Sequence, residues 1–371
     1  MLASYVHTGQ IRVLLHHKAT SADIHHDRVR AVRVTHVADG HAIVLNAPYF
    51  ADATELGDLL PLTGTDYVVG AESMAQTGEP HAKASAEPDN VQAFTICFAV
   101  DHRRGEDHVI ERPADYTYWR DLVIPAADGQ SYRLLSLDEP ANARIGFNPE
   151  ARTGYWSYRR VIDRDLFTPS EETRGLYSDD VTIVNWAQND YSFGSLIDVS
   201  DDTSQQHVAR AKAQGLSLLY WLQTEAPRPD GGAGWKGLRL RPDIMGTTDG
   251  FAKYPYIRES RRILAECTVL EHHVTSEARA REVGPRPASL VAMPFTDSVG
   301  IGHYSMDLHR TTRGDYGRYG KTLPFQIPMG ALIPRRMENL LPACKNAGVT
   351  HLTNGCYRLH PIEWNIGESV G

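Results

Sequence analysis

Along the first fifty residues the apolar positions form a short run, Ile11-Arg12-Val13-Leu14-Leu15, and then alternate strictly through Arg28-Val29-Arg30-Ala31-Val32-Arg33-Val34-Thr35. A period of two marks a half-buried strand. Asp39-Gly40 is a hairpin signal and His41-Ala42-Ile43-Val44-Leu45 is its return strand, so residues 10–50 predict a β-meander. Pro48-Tyr49-Phe50-Ala51-Asp52-Ala53-Thr54 predicts a further short, buried strand that ends in small polar residues.

Residues 60–200 are punctuated by Gly, Pro and Asp, with strand-like aromatic pieces such as Ala93-Phe94-Thr95-Ile96-Cys97-Phe98-Ala99-Val100. A long helix follows. Asp202 with Gln205 makes a capping box, and Val208, Ala211, Leu218, Leu219 and Leu222 recur at helical spacing until Pro227-Arg228-Pro229-Asp230-Gly231-Gly232 breaks the pattern. Two shorter helices are expected over 259–267 and 275–282. Near the end, Leu323-Pro324-Phe325-Gln326-Ile327-Pro328 and Asn339-Leu340-Leu341-Pro342-Ala343-Cys344 are short extended pieces. The last eleven residues, from Pro361, predict a helix, since proline suits a first turn.

A chain of 371 residues predicts two domains, or one large domain with an insertion. The net charge of -8 gives no electrostatic reason to expect nucleic acid. No apolar run is long enough to span a bilayer and the start carries no secretory signal. These features point to a cytoplasmic protein with neither nucleic acid nor membrane as partner. The four cysteines are scattered without zinc spacing and read as reduced thiols. The adjacent histidine pairs His16-His17, His25-His26 and His272-His273 suit chelation poorly, because strand neighbours face opposite sides. No metal site is expected.

Two glycine patterns invite a nucleotide reading. Gly232-Ala233-Gly234-Trp235-Lys236-Gly237 is a literal GxGxxG, but the Pro-rich segment before it cannot be the central strand that such a fingerprint requires, so it reads as a flexible loop. Gly300-Ile301-Gly302-His303-Tyr304-Ser305 lacks the last glycine. No GxxxxGK[ST], GxSxG or HExxH occurs.

The stretch Phe50-Ala51-Asp52-Ala53-Thr54-Glu55-Leu56-Gly57-Asp58-Leu59-Leu60 resembles the second cofactor-contacting motif of FAD-dependent oxidoreductases of the two-dinucleotide-binding type, with Glu55 where glycine is usual. Pro324 through Pro328, Glu338 through Ala343, Cys356 through Pro361 and Asn365 through Gly371 resemble the closing FAD segment of that family, in a branch whose members sometimes carry the label xanthan lyase. Tyr155 through Arg160, Ile257 through Arg262, and the pieces Asp297 through Gly300 and Asp307 through His309 are similar as well.

The resemblance implies an α/β (mixed) fold. Residues 1–62 and 310–371 would form an incomplete Rossmann-like FAD-binding domain with a meander, and 63–309 an inserted mixed substrate domain. It implies hydride transfer between a small organic substrate and FAD. Asp52, Ala53, Thr54, Asn354 and Gly355 would line the cofactor, and the backbone N–H groups of Ile362 and Glu363 would face the flavin. Arg358 could hold a substrate carboxylate or flavin oxygen by paired N–H bonds, or cap a helix. His351 and His309 could move protons, or be hydrogen-bonded packing residues. Arg159 and Arg258 could bind an anion or form ion pairs. The family's first motif, strand–GxGxxG–helix, is absent, so a shortened chain with weakened FAD binding is expected. A non-catalytic remnant, and less so a polysaccharide lyase, are the alternatives.

Overall fold

A computed structural model describes residues 2–126, 129–137, 145–166, 179–283 and 290–371. The architecture is mixed α/β, with many small sheets. The chain forms two compact units. The first comprises Met1–Pro88, Glu259–Met306 and Gly320–Gly371, and the second Asp89–Arg258 and Asp307–Tyr319.

The first unit opens on the expected meander, His17–His25, Arg28–His36 and Ala42–Asn46, antiparallel and in that order. The alternation in Arg28–His36 buries Val29, Ala31 and Val32 while the arginines between them stay outside. The Asp39 carboxylate accepts from His36 Nδ1 and His41 N, fixing the hairpin, with Gly40 at φ 73°. The expected strand at 11–15 does not form; pairing starts at His17.

Phe50–Asp52 pairs in parallel with Leu340–Pro342. Asn339, fully buried, ties this pair to the meander: its side chain accepts from Val29 N and donates to Val29 O and Pro48 O. One amide side chain thus replaces a stretch of backbone ladder. Behind the pair lies an apolar core in which the Phe325 and Tyr357 rings stack at 4.7 Å, with Ile362 and Ile366 of the closing helix, His360–Val370, beside them.

The helix expected over 259–267 is instead extended, with Arg262–Ile263 paired against Tyr67–Val68. The cause is tertiary. The guanidinium of Arg262, fully buried, donates to Gly70 O, Val349 O, Glu72 and Glu259. These bonds hold the backbone open against its local propensity. The helix expected over 275–282 forms at Ser276–Val283.

The second unit is organised by a four-stranded antiparallel sheet in the order Arg160–Ile162, Val181–Val184, Phe98–His102, Leu238–Leu240. The apolar stretch 93–100 breaks into two strands, because Phe94–Thr95 pairs instead with Asp190–Tyr191. The long helix is Asp201–Thr224, and its N-cap is Ser200, not Asp202: Ser200 Oγ accepts from Thr203 N at 3.1 Å. Ala211, Leu218, Leu219 and Leu222 are buried as expected.

The GxGxxG at 232–237 is no nucleotide turn, and it is tightly packed rather than flexible. A Cβ on Gly234 would stand 2.4 Å from the carbonyl oxygen of Gln223, so the glycine serves close approach to the end of the long helix. In Ser298–Gly302, a Cβ on Gly302 would meet the Phe325 ring at 2.3 Å, which is what that glycine is for.

Candidate functional site

Three clusters among the described residues bear on chemistry, a cavity in the second unit and two polar groups in the first. The second unit encloses a cavity of about 620 Å³, within the usual range for small-molecule sites. One wall is aromatic: Tyr155 and Trp186 pack as a tilted pair at 4.8 Å. The segment from Asp307 to Tyr319 supplies most of the charge.

At the floor of the cavity lies Asp190. Its backbone oxygen accepts from the buried side chain of Gln214 on the long helix, which sets its position. Its carboxylate accepts from Thr95 Oγ1 at 2.5 Å and pairs with Arg258 at 2.9 Å and with His309 Nδ1 at 2.5 Å. Burial alone would raise its pKa, but Arg258 and His309 outweigh burial and hold it down to about 2. Arg258 is engaged further: its terminal nitrogens also donate to Ala93 O, Thr95 Oγ1 and Asn185 Oδ1. Of the two roles open to Arg258, the buried ion pair is the one it takes.

His309 is held between two carboxylates. Nδ1 faces Asp190, and Nε2 lies 3.4 Å from Asp307. Its backbone N–H donates to Gln92. Arg159 lines the same cavity, over the Tyr158 ring at 5.1 Å. Arg310 and Arg318 line it too, and neither forms an ion pair among the described residues. Burial pushes the Arg310 pKa down.

The first unit holds a buried polar web. His351 is the first residue of the helix His351–Tyr357, which Thr350 caps by accepting from Thr353 N. The His351 backbone N–H donates to Glu72, and its Nδ1 lies 2.9 Å from Glu259. Burial would lower the His351 pKa, but the Glu259 carboxylate reverses that and raises it. Glu79 accepts from Thr350 Oγ1 at 2.8 Å and Glu271 N at 2.7 Å. Burial outweighs these bonds and raises the Glu79 pKa to about 7. Asn354, Gly355 and Arg358 share this helix segment, with Arg358 as its buried C-cap residue.

The other expected residues gather at the carboxyl end of the parallel strand pair. Asp52 accepts from Thr54 N, Thr54 Oγ1 and Leu59 N and so shapes the loop through Ala53. Burial raises its pKa against those bonds. Opposite, Asn346 donates to Asp52 O. Lys345, 4% exposed at its side chain, pairs with Glu55 at 2.8 Å and Glu363 at 3.3 Å. The N–H groups of Ile362 and Glu363, expected to point at a cofactor, both donate to Leu359 O. The Ile362 side chain lies in the core.

The structure therefore brings Asp52, Ala53, Thr54 and Glu363 together, sets His351, Asn354, Gly355 and Arg358 on one helix of the same unit, and places His309 in the other unit. Sequence reasoning missed Lys345, the glutamates around His351, and the trio Asp190, Arg310 and Arg318. Only Glu259 lay in a stretch already singled out. Among the described residues no cluster of His, Cys, Asp and Glu could hold a metal ion, and no helix is long and apolar enough to cross a membrane.

The family model described as FAD dependent oxidoreductase matches this chain over residues 1–371. No curated protein matches, and no solved structure does.

Proposed function

The chain belongs to the FAD dependent oxidoreductase family, with FAD as its cofactor, and we propose that it transfers a hydride between a small organic substrate and the flavin. In this reading the first unit is a Rossmann-like cofactor unit and the second takes the substrate. One observation carries it: motifs from opposite ends of the chain, Asp52 through Glu55 and Cys344 through Asn346, meet at the carboxyl end of one parallel strand pair. That is where open α/β sheets bind ligands.

The donors there fit the cofactor. An ammonium has three N–H groups; Lys345 donates one to Glu55 and pairs by charge with Glu363 at 3.3 Å, which leaves donor capacity for an anionic or carbonyl oxygen. The loops after Asp52 and Pro342 would hold the flavin, with Lys345 on its polar edge. Bound FAD supplies the two-electron acceptor or donor. In the second unit, Asp190 at Nδ1 and Asp307 near Nε2 orient the His309 imidazole at the cavity, where it would exchange a proton with a substrate hydroxyl. Asp307 then stabilises the imidazolium that forms.

The test is a visible absorption spectrum of the purified chain, with and without added FAD, after unbound flavin is removed. Retained flavin bands that weaken in Lys345→Met support the reading. A chain that stays colourless with FAD in excess refutes it.

A further inference from the structure

We propose that the cavity of the second unit is built for a ring compound carrying a carboxylate, anchored by Arg310 and Arg318 and flanked by the Tyr155–Trp186 pair. The inference rests on the reading that this cavity takes the substrate.

The charges decide it. Two acids and three arginines line the cavity, beside His309. Asp190 is answered from behind by Arg258, at 2.9 Å, and from the front by His309. Asp307 faces the second nitrogen of His309. Both acids are thus spoken for inside the protein. The bases are not. Arg159 lies over the Tyr158 ring and has no ion pair among the described residues. Arg310 and Arg318 have no acidic partner among the described residues, and each has a buried Nε without a hydrogen-bond acceptor. Leaving a partly buried guanidinium unanswered is unfavourable. Two such guanidiniums in one cavity, with no acidic partner among the described residues, are suited to an anionic ligand. The planar guanidinium fork matches a carboxylate by two parallel N–H bonds.

The other walls select the rest of the ligand. The Tyr155–Trp186 pair, 4.8 Å between centroids, is 2% and 3% exposed and therefore rigid. Such faces pack against a flat or puckered ring. The volume of about 620 Å³ admits a ring with its substituents.

Two rings meet this description, a sugar acid and an aromatic acid, and the test separates them. Calorimetry on the protein as purified compares two matched pairs: D-glucuronate with D-glucose, and 4-hydroxybenzoate with 4-hydroxybenzamide. In at least one pair the acid should bind about tenfold or more tighter than its neutral twin, the scale of a charge-assisted bidentate bond. Arg310→Gln and Arg318→Gln should each remove most of that preference while the melting temperature stays unchanged. Arg318→Lys, which keeps the charge but not the fork, should restore only part of it. If neither acid outbinds its neutral twin, or both Gln variants bind as before, the proposal is wrong. Arginine-dependent binding by a protein that never holds flavin would sink the oxidoreductase reading and leave this one standing. Flavin bleaching by neutral compounds, without preference for acids, would do the reverse.

Discussion

The charges at the candidate sites of the two units are answered differently. In the first, Arg262 sits between Glu72 and Glu259, His351 leans on Glu259, and Lys345 is shared by Glu55 and Glu363. Each of these cations is matched inside the protein. In the second, Asp190 is matched, while Arg310 and Arg318 have no acidic partner among the described residues. Matched charges hold a shape, since removing either partner strands the other. Unmatched ones are an unfilled valence, and the ligand completes them.

The largest effect should come from breaking a matched set. Arg262→Met leaves the Glu259 and Glu72 carboxylates without their common cation, which costs on the order of 3–5 kcal/mol. Chemical denaturation should show it as a loss confined to the first unit. A variant as stable as the parent would mean that the web is not what shapes this unit.

The next effect lies in pH. Glu79 is raised from 4.5 to about 7, so the folded state keeps a proton that the unfolded chain has lost. Its contribution is full below 4.5 and fades as pH rises through 7, by up to roughly 3 kcal/mol. Glu79→Gln keeps the acceptor oxygen for Thr350 and should flatten that slope in denaturation curves. Asp190 works the other way. Held down to about 2 from 3.8, it stabilises the fold above 3.8 and loses that contribution as pH falls toward 2. The two units should fail at opposite ends of the pH scale, and a single shared profile would remove the distinction.

Smaller, and on activity rather than stability, is His309→Gln. Loss of the proton acceptor should lower turnover by about a hundredfold with little change in melting temperature. An unchanged rate would return His309 to a packing role. The smallest effect is Ser200→Ala, which removes the cap of the long helix and should cost about 1 kcal/mol without altering flavin or ligand binding.

The meander and the closing helix were legible because their signals are local: alternation from 28 to 35, Asp39-Gly40 at the turn, and a proline at the first turn of the last helix. The parallel pair was legible as two short extended pieces. The stretch around Arg262 was not, because its conformation depends on Gly70, Glu72 and Val349, far away in sequence. Ser200 and Asp202 are equally good caps on paper, and only the hydrogen bond to Thr203 tells them apart. The cavity was the least legible. His309 was singled out, yet what makes Arg310 and Arg318 significant is the partner they lack, and a sequence does not display a lack of partners.

The Asn339 staple has a consequence for how the chain comes to be folded. Its bonds to Val29 span 310 positions, and Phe50–Asp52 finds its parallel partner only at Leu340–Pro342. The meander and its closing strand are separated by almost three hundred positions, so the unit is completed only when distant stretches of chain meet. Contacts this distant in sequence form slowly and leave apolar edges open in the interval. Closing this unit is therefore a late, long-range event, and Asn339→Ala should slow refolding.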